Sequence, residues 1–133
     1  MAKLVPLLIG LALLGSVASA PAWSQNGALT MLSQLEHGNW QIHDRDSGAT
    51  SRLCVRNGAQ LLQLRHLAAD CKRIVIEDSA DMVTVQYACQ GHGFGRTSIR
   101  RETNRLVQIE SQGIVDGRPF QFTAEARRTA PCH

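Results

Sequence analysis

The chain predicts a mainly β fold on the borderline of α+β: a curled antiparallel meander of about seven strands, open or partly closed as a barrel, with one or two short helices. Three observations carry this expectation. Beyond Cys71 the apolar residues recur at period two, at Ile74 and Ile76, at Val83, Val85, Tyr87 and Cys89, at Val107 and Ile109, and at Phe120, Phe122 and Ala124. That is the spacing of half-buried strands. Polar and glycine-containing breaks at Asp78 to Asp81, Gln90 to Gly93, Glu102 to Asn104 and Asp116-Gly117 cut the run into hairpin lengths, and Asp-Gly is the strongest two-residue hairpin signal of the set. Finally, four cysteines, Cys54, Cys71, Cys89 and Cys132, stand behind an export-type leader. An even set in that context implies two disulfides and an oxidising compartment.

The leader comes first. Lys3 supplies a positive start and Leu4 to Leu14 an apolar run broken only by Pro6 and Gly10, too short for a lasting membrane span. Cleavage after Ala22 is favoured over cleavage after Ala20, which would place Pro21 at the first mature position. Residues 1–22 therefore read as a signal peptide and 23–133 as a single disulfide-stapled β-rich domain. No cysteine closely follows the cut, so no lipid anchor is expected, and the Gram-negative periplasm is the expected destination.

Ala28, Leu29, Leu32 and Leu35 recur at helical spacing and predict a short amphipathic helix ended by Gly38. Trp40 and Ile42 then alternate with Gln41 and His43, and the turn residues Asp46, Ser47 and Gly48 lead to a second short strand around Arg52 to Val55. Asn57 followed by Gln60 resembles a capping box, and Leu61, Leu64 and Leu67 share one helical face, so the main helix is expected over residues 58–67. Strands fill the rest. Four cysteines allow three pairings. Side-chain parity favours Cys54 with Cys71, stapling that helix, and Cys89 with Cys132, tying the tail.

Charge excludes little. Of 14 Lys and Arg side chains one, Lys3, leaves with the signal, and the remaining 13 face 11 acidic ones. Twelve of those 13 are arginine, the residue suited to bidentate contact with carboxylate or phosphate. Arg96 and Arg100 share one strand parity, and Arg101, Arg105, Arg127 and Arg128 cluster near strand ends, so one edge of the sheet is a candidate basic surface. In an exported protein its partners would be lipid headgroups, wall carboxylates or acidic proteins, not nucleic acid.

In order, the chain carries Gly38-Asn39-Trp40, Arg52-Leu53-Cys54-Val55, Cys71, Val85-Gln86-Tyr87-Ala88-Cys89, the Gly117-Arg118-Pro119-Phe120 turn and the closing Cys132. It resembles the domain-of-unknown-function family 3617, small exported proteobacterial proteins with four cysteines, over roughly the whole mature chain. Members commonly open with Gly-Leu-Trp-Glu, whereas Asn39 and Gln41 stand here in place of the Leu and Glu. The resemblance implies location and architecture and brings no chemistry with it.

Catalytic signatures are missing from the sequence. Gly91-His92-Gly93-Phe94-Gly95 has strands on both sides rather than a strand before and a helix after, so it reads as a hairpin turn and not a phosphate cradle. His37, His43, His66, His92 and His133 show no metal-binding spacing, and Cys132-His133 lacks the upstream cysteine of a haem site. There is no G-x-S-x-G. The carboxylate pairs Glu77 with Glu110 and Asp44 with Asp46 read as solvent-facing strand positions and as turn chemistry. No catalytic residue, metal or cofactor is therefore assigned, and a non-enzymatic binding module for a small apolar ligand or an envelope protein partner is expected. A secreted inhibitor of a wall-degrading enzyme or protease is the alternative, a hydrolase the more distant one. Trp40, Tyr87, Phe94, Phe120 and Phe122 are the candidate ligand liners, with Trp40 and Phe122 foremost because each lies beside a turn.

Overall fold

The computed structural model describes residues 29–133; the expected signal segment and the cut after Ala22 lie outside the described residues. Seven antiparallel strands form one sheet with two short helices on one face, and the sheet does not close into a barrel. In chain order they are α1 (Thr30–Ser33), β1 (Gly38–Asp44), β2 (Thr50–Val55), a 3-10 helix (Gly58–Gln63), β3 (Cys71–Asp78), β4 (Met82–Cys89), β5 (Gly93–Thr103), β6 (Leu106–Val115) and β7 (Arg118–Ala130). The spatial order is β2-β1-β7-β6-β5-β4-β3. Residues between β2 and β3 must therefore carry the chain from one edge of the sheet to the other. They do so across one face, and that crossing buries the core.

The covered face collects the alternating residues of every long strand. Trp40, Val83, Val85, Ile99, Val107, Ile109 and Ala126 are fully buried there, with Ile42, Phe122 and Ala124 nearly so. Met31, Leu32 and Leu35 close over them from the α1 segment, and Leu61 and Leu62 from the 3-10 helix. Two polar groups share this core with their bonds satisfied. Thr97 Oγ1 donates to the Leu62 carbonyl at 2.6 Å and lies 2.8 Å from Ser111 Oγ, which fastens the crossing segment to the sheet.

Both helices are shorter than the apolar spacing predicts. The first, expected over Ala28 to Leu35, has a single turn, because its N-cap, Leu29, has no side-chain oxygen to accept the free N–H groups. The second, expected over residues 58–67, ends after Gln63. Its capping box does form: Asn57 Oδ1 accepts from the Ala59 N–H at 2.9 Å and Gln60 Oε1 from the Asn57 N–H at 3.0 Å. What stops it is His66, which is drawn inward to bond Tyr87, while Gln63 Nε2 donates to the carbonyls of His66 and Ala69. Leu67, expected inside, is 48% exposed in consequence. Replacing Asn57 by alanine is expected to destabilise the protein by about 1 kcal/mol, the usual worth of such a cap, read as a lowered midpoint in urea.

The β1–β2 hairpin turns on Asp44. Its Oδ1 accepts the N–H groups of Asp46 and Ser47 at 2.9 and 3.1 Å. The Ser47 backbone N–H is the main reason its carboxyl lies below the usual carboxylate range, with Arg65 adding a smaller pull and burial opposing. Asp46 is also spoken for, since its Oδ2 accepts from the backbone N–H of Thr123 at 3.0 Å. These two acids are turn chemistry, as their spacing predicts.

The disulfides pair differently from the parity argument: Cys54 bonds Cys132 and Cys71 bonds Cys89. The reason is register. Cys71 opens β3 directly opposite Cys89, the last residue of β4, so the two sulfurs meet across neighbouring strands. Cys54 pairs with Asn39 of β1, which in turn pairs with Ala130 of β7, and the tail needs only two more residues to bring Cys132 back over β1. The Cys71 bond also sets the phase of β3. With Cys71 on the covered side, Val75 shares that side, and Ile74 and Ile76, expected inward, are 56% and 48% exposed.

Candidate binding site

One face of the sheet carries the helices, and the other is left uncovered along β3 to β7. Strand register lays two rows of side chains across it. The first runs Lys72, Ala88, Phe94, Ile114 and Pro119, each paired with the next on the neighbouring strand. The second, two residues along each strand, runs Ile74, Gln86, Arg96, Gln112 and Gln121. Together they line an open hollow of about 1000 Å³ to which Tyr87, Gly95, Gly113 and Phe120 also contribute. Phe94 stands out at 55% exposure. An aromatic ring this exposed beside Ile114 and Pro119 is an unpaid hydrophobic surface of the sort that marks a binding face.

Lys72 lies at the β3 end of the first row, and the other charge of the lining is Arg96. It sits in the second row between Gln86 and Gln112, and among the described residues its guanidinium has no acidic partner. The other arginines expected to form a basic edge do not share its position or its state. Arg100 pairs with Glu102 at 3.3 Å, Arg101 with Asp81 at 3.2 Å and Arg127 with Glu125 at 3.3 Å. Arg105 pairs with Glu36, and Arg128 Nε donates to the His37 carbonyl at 2.7 Å. Glu125 is held below the usual carboxylate range, first by its hydrogen bond from Gln108, then by Arg127. Arg100, Arg101, Arg105 and Arg127 are thus neutralised by acids within the surface and Arg128 is tied to a backbone carbonyl, so the strand-end arginines make no common anion site.

The floor is built from glycine and one buried aromatic pair. A β-carbon at Gly113 would collide with the Phe94 carbonyl, and one at Gly95 with the Tyr87 ring. This cross-strand Gly95–Gly113 pair leaves the space that the Tyr87 ring and the neighbouring backbone fill. Beneath it, on the covered side, His66 Nε2 donates to the carbonyls of His92 and Ile114 at 3.0 and 3.1 Å, and Nδ1 lies 3.0 Å from the Tyr87 hydroxyl. Burial pushes the Tyr87 phenol up to about 12. The ring contact of His66 with Tyr87, at 5.2 Å between centroids, completes a rigid support under the hollow.

The five aromatic residues predicted as ligand liners thus go to different places. Phe94 stands on the open face of the hollow, while Tyr87 and Phe120 border it from the covered side, where both rings meet His66. Trp40 is wholly buried in the core, its indole N–H donating to the Glu36 carbonyl at 2.9 Å. Phe122 is also on the covered face, beneath the Arg65 guanidinium at 4.7 Å. Residues that sequence reasoning passed over, Gln86, Gln112, Gln121, Ile114 and Pro119, make up much of the lining. Their signal was the parity opposite to the core: an apolar Ile114 between polar neighbours on the outward side of a strand.

For chemistry the arrangement offers little. Glu77 pairs with Thr84 and Glu110 with Ser98, so the two acids lie in one row with β4 and β5 between them, about 14 Å apart at ordinary strand spacing. The Gly91 to Gly93 segment is a hairpin turn, with Gly91 at φ 79° and the His92 N–H bonded to the Cys89 carbonyl. Among the described residues no cluster of His, Cys, Asp or Glu is placed to hold a metal ion, and no helix is long and apolar enough to cross a membrane. The two disulfides indicate an oxidising, non-cytoplasmic compartment. No protein-family model matches the chain, and no curated protein matches it either.

Proposed function

We propose that the protein is a non-enzymatic binding module of the periplasm, reached after loss of residues 1–22, and that its uncovered face takes an elongated apolar molecule with an anionic head. The observation that carries this reading is the pair of rows in the hollow. Phe94, Ile114, Pro119, Ala88 and Ile74 offer apolar contact, and Arg96 lies one row away with the amides of Gln86, Gln112 and Gln121 around it. An acyl chain laid over Pro119, Ile114 and Phe94 would end beside Arg96, two residues along β5 from Phe94, where its carboxylate or phosphate takes a charge-assisted hydrogen bond in place of the missing acidic partner. The resemblance to the exported four-cysteine family supports the location.

The test uses a dansylated long-chain fatty acid, because Trp40 is sealed in the core on the opposite side and does not report on the hollow. Probe emission should rise on titration with the purified protein. Phe94→Asp and Arg96→Glu should each weaken binding about tenfold or more, the equivalent of roughly 1.5 kcal/mol. A probe with an alcohol head should bind the wild type more weakly and lose little further in Arg96→Glu. Equal affinity of all three proteins for the acid probe, or no binding, sinks the proposal.

A further inference from the structure

We propose, on the reading that the hollow takes an apolar chain with an anionic head, that the group held at Arg96 is a phosphodiester and that Glu110 takes an ammonium group carried on its outer arm. The ligand is then a single molecule of an amine-headed phospholipid. A second, smaller hollow of about 300 Å³ adjoins the first on the uncovered face and shares Arg96, Gln112 and Gln121 with it. Its far side is a third row, Ser98, Glu110 and Thr123, two residues further along the strands. Along the strands the face therefore changes from apolar to basic to acidic, with Arg96 in the middle.

Register fixes these two charges as diagonal neighbours. Gln112 lies directly opposite Arg96 and Glu110 opposite Ser98, which sets Arg96 and Glu110 about 7–8 Å apart on the same side of adjacent strands. They do not pair with each other, and among the described residues neither has an ion-pair partner. The groups around Glu110 are engaged elsewhere. Ser98 Oγ lies 2.8 Å from Thr84 Oγ1, Thr123 Oγ1 donates to Asp46 at 3.3 Å, and Arg100 is bound to Glu102. Glu77 shares the row but stands two strands from Arg96, as does Lys72 at the β3 end of the first row.

The middle position of Arg96 decides the chemistry. A carboxylate or a phosphate monoester ends the molecule that bears it; either would leave the second hollow to water and set Glu110 against its negative charge. A phosphodiester has one negative charge and two arms. One arm leads back over Phe94, Ile114 and Pro119, and the other forward to Glu110. The carboxylate there accepts hydrogen bonds, and a cationic donor makes them charge-assisted. A short link between phosphate and amine suits opposite charges set one diagonal apart on long side chains, so the head is of the phosphoethanolamine kind.

The experiment displaces the dansylated fatty acid from protein purified from cells expressing the full chain. Three competitors of one chain length are compared: lysophosphatidylethanolamine, its N-acetylated derivative, which keeps the phosphodiester and loses the ammonium, and lysophosphatidylglycerol. The ethanolamine lipid should displace the probe at about threefold to fivefold lower concentration than either of the others, the effect of one exposed ion pair. Glu110→Gln should bring the three together, and Glu110→Lys should reverse the order. Glu110 is an exposed strand position, and unchanged circular dichroism shows the variants folded. Equal displacement by all three lipids, a preference for the glycerol head, a preference that survives in Glu110→Gln, or lysolipids that leave a bound fatty acid in place overturns the amine-headed ligand while the apolar-chain site stands. A protein that binds no fatty acid overturns both.

Discussion

Alanine at both Cys54 and Cys132 is expected to lower the unfolding free energy by about 4.5 kcal/mol, more than loss of the other disulfide. The bond closes a separation of 78 residues, against 18 for Cys71–Cys89, and the loop entropy it removes from the unfolded chain grows with the logarithm of that length. Cys71→Ala with Cys89→Ala should cost about 3 kcal/mol on the same reasoning. Together the two losses rival the whole net stability of a domain this size, about 5–15 kcal/mol. Urea unfolding of the oxidised wild type and both double variants checks the order. Equal midpoints for the two variants would show that the chain-entropy account fails here, and full reduction should unfold the protein at room temperature.

Trp40→Ala is expected to destabilise by about 3–5 kcal/mol, the range for removing a large aromatic side chain from a packed core. The indole has no exposed surface, it lies among Met31, Leu35 and Val55 in one continuous cluster, and its N–H donates to the Glu36 carbonyl. Trp40→Phe keeps most of the volume and loses the hydrogen bond, so it should fall between. The same equilibrium unfolding curves measure both. A loss below about 1 kcal/mol in Trp40→Ala would mean the core collapses around the gap, contrary to its close packing. Because Trp40 lies on the helix-covered side, neither substitution should change affinity for the dansylated fatty acid in protein that remains folded.

The sheet was legible because its strands are long, half-buried and punctuated. Each expected break falls at a junction of consecutive strands, although Asp78, Gly93, Glu102 and Thr103 belong to the strands themselves and the β5–β6 turn is Asn104-Arg105, and Val83, Val85, Tyr87 and Cys89 do face inward together. The helices were less legible, because Leu61, Leu64 and Leu67 have helical spacing but His66, held by Tyr87 and two carbonyls, decides where the chain bends. No local pattern announces such a long-range bond. Disulfide pairing failed for a related reason: parity says which way a cysteine points, and only strand order says which other cysteine lies beside it. The hollow escaped notice because aromatic residues draw attention to the core, whereas its polar row is made of glutamines and Arg96, ordinary surface residues until register lines them up.

The disulfides are nested, the first cysteine with the last and the second with the third. On the export route proposed above, Cys54 and Cys71 would meet oxidants before Cys89 and Cys132 have crossed. A bond formed in order of arrival would join β2 to β3, which end as opposite edges of the sheet, roughly 29 Å apart measured across seven strands. The native sheet cannot be completed while that bond persists. Likewise β1 waits for its inner neighbour β7, the last strand to arrive. Where that bond forms, reaching the native pairing requires thiol–disulfide exchange once Cys89 and Cys132 are available, and a setting that oxidises cysteines without reshuffling them would leave such molecules cross-linked and misfolded.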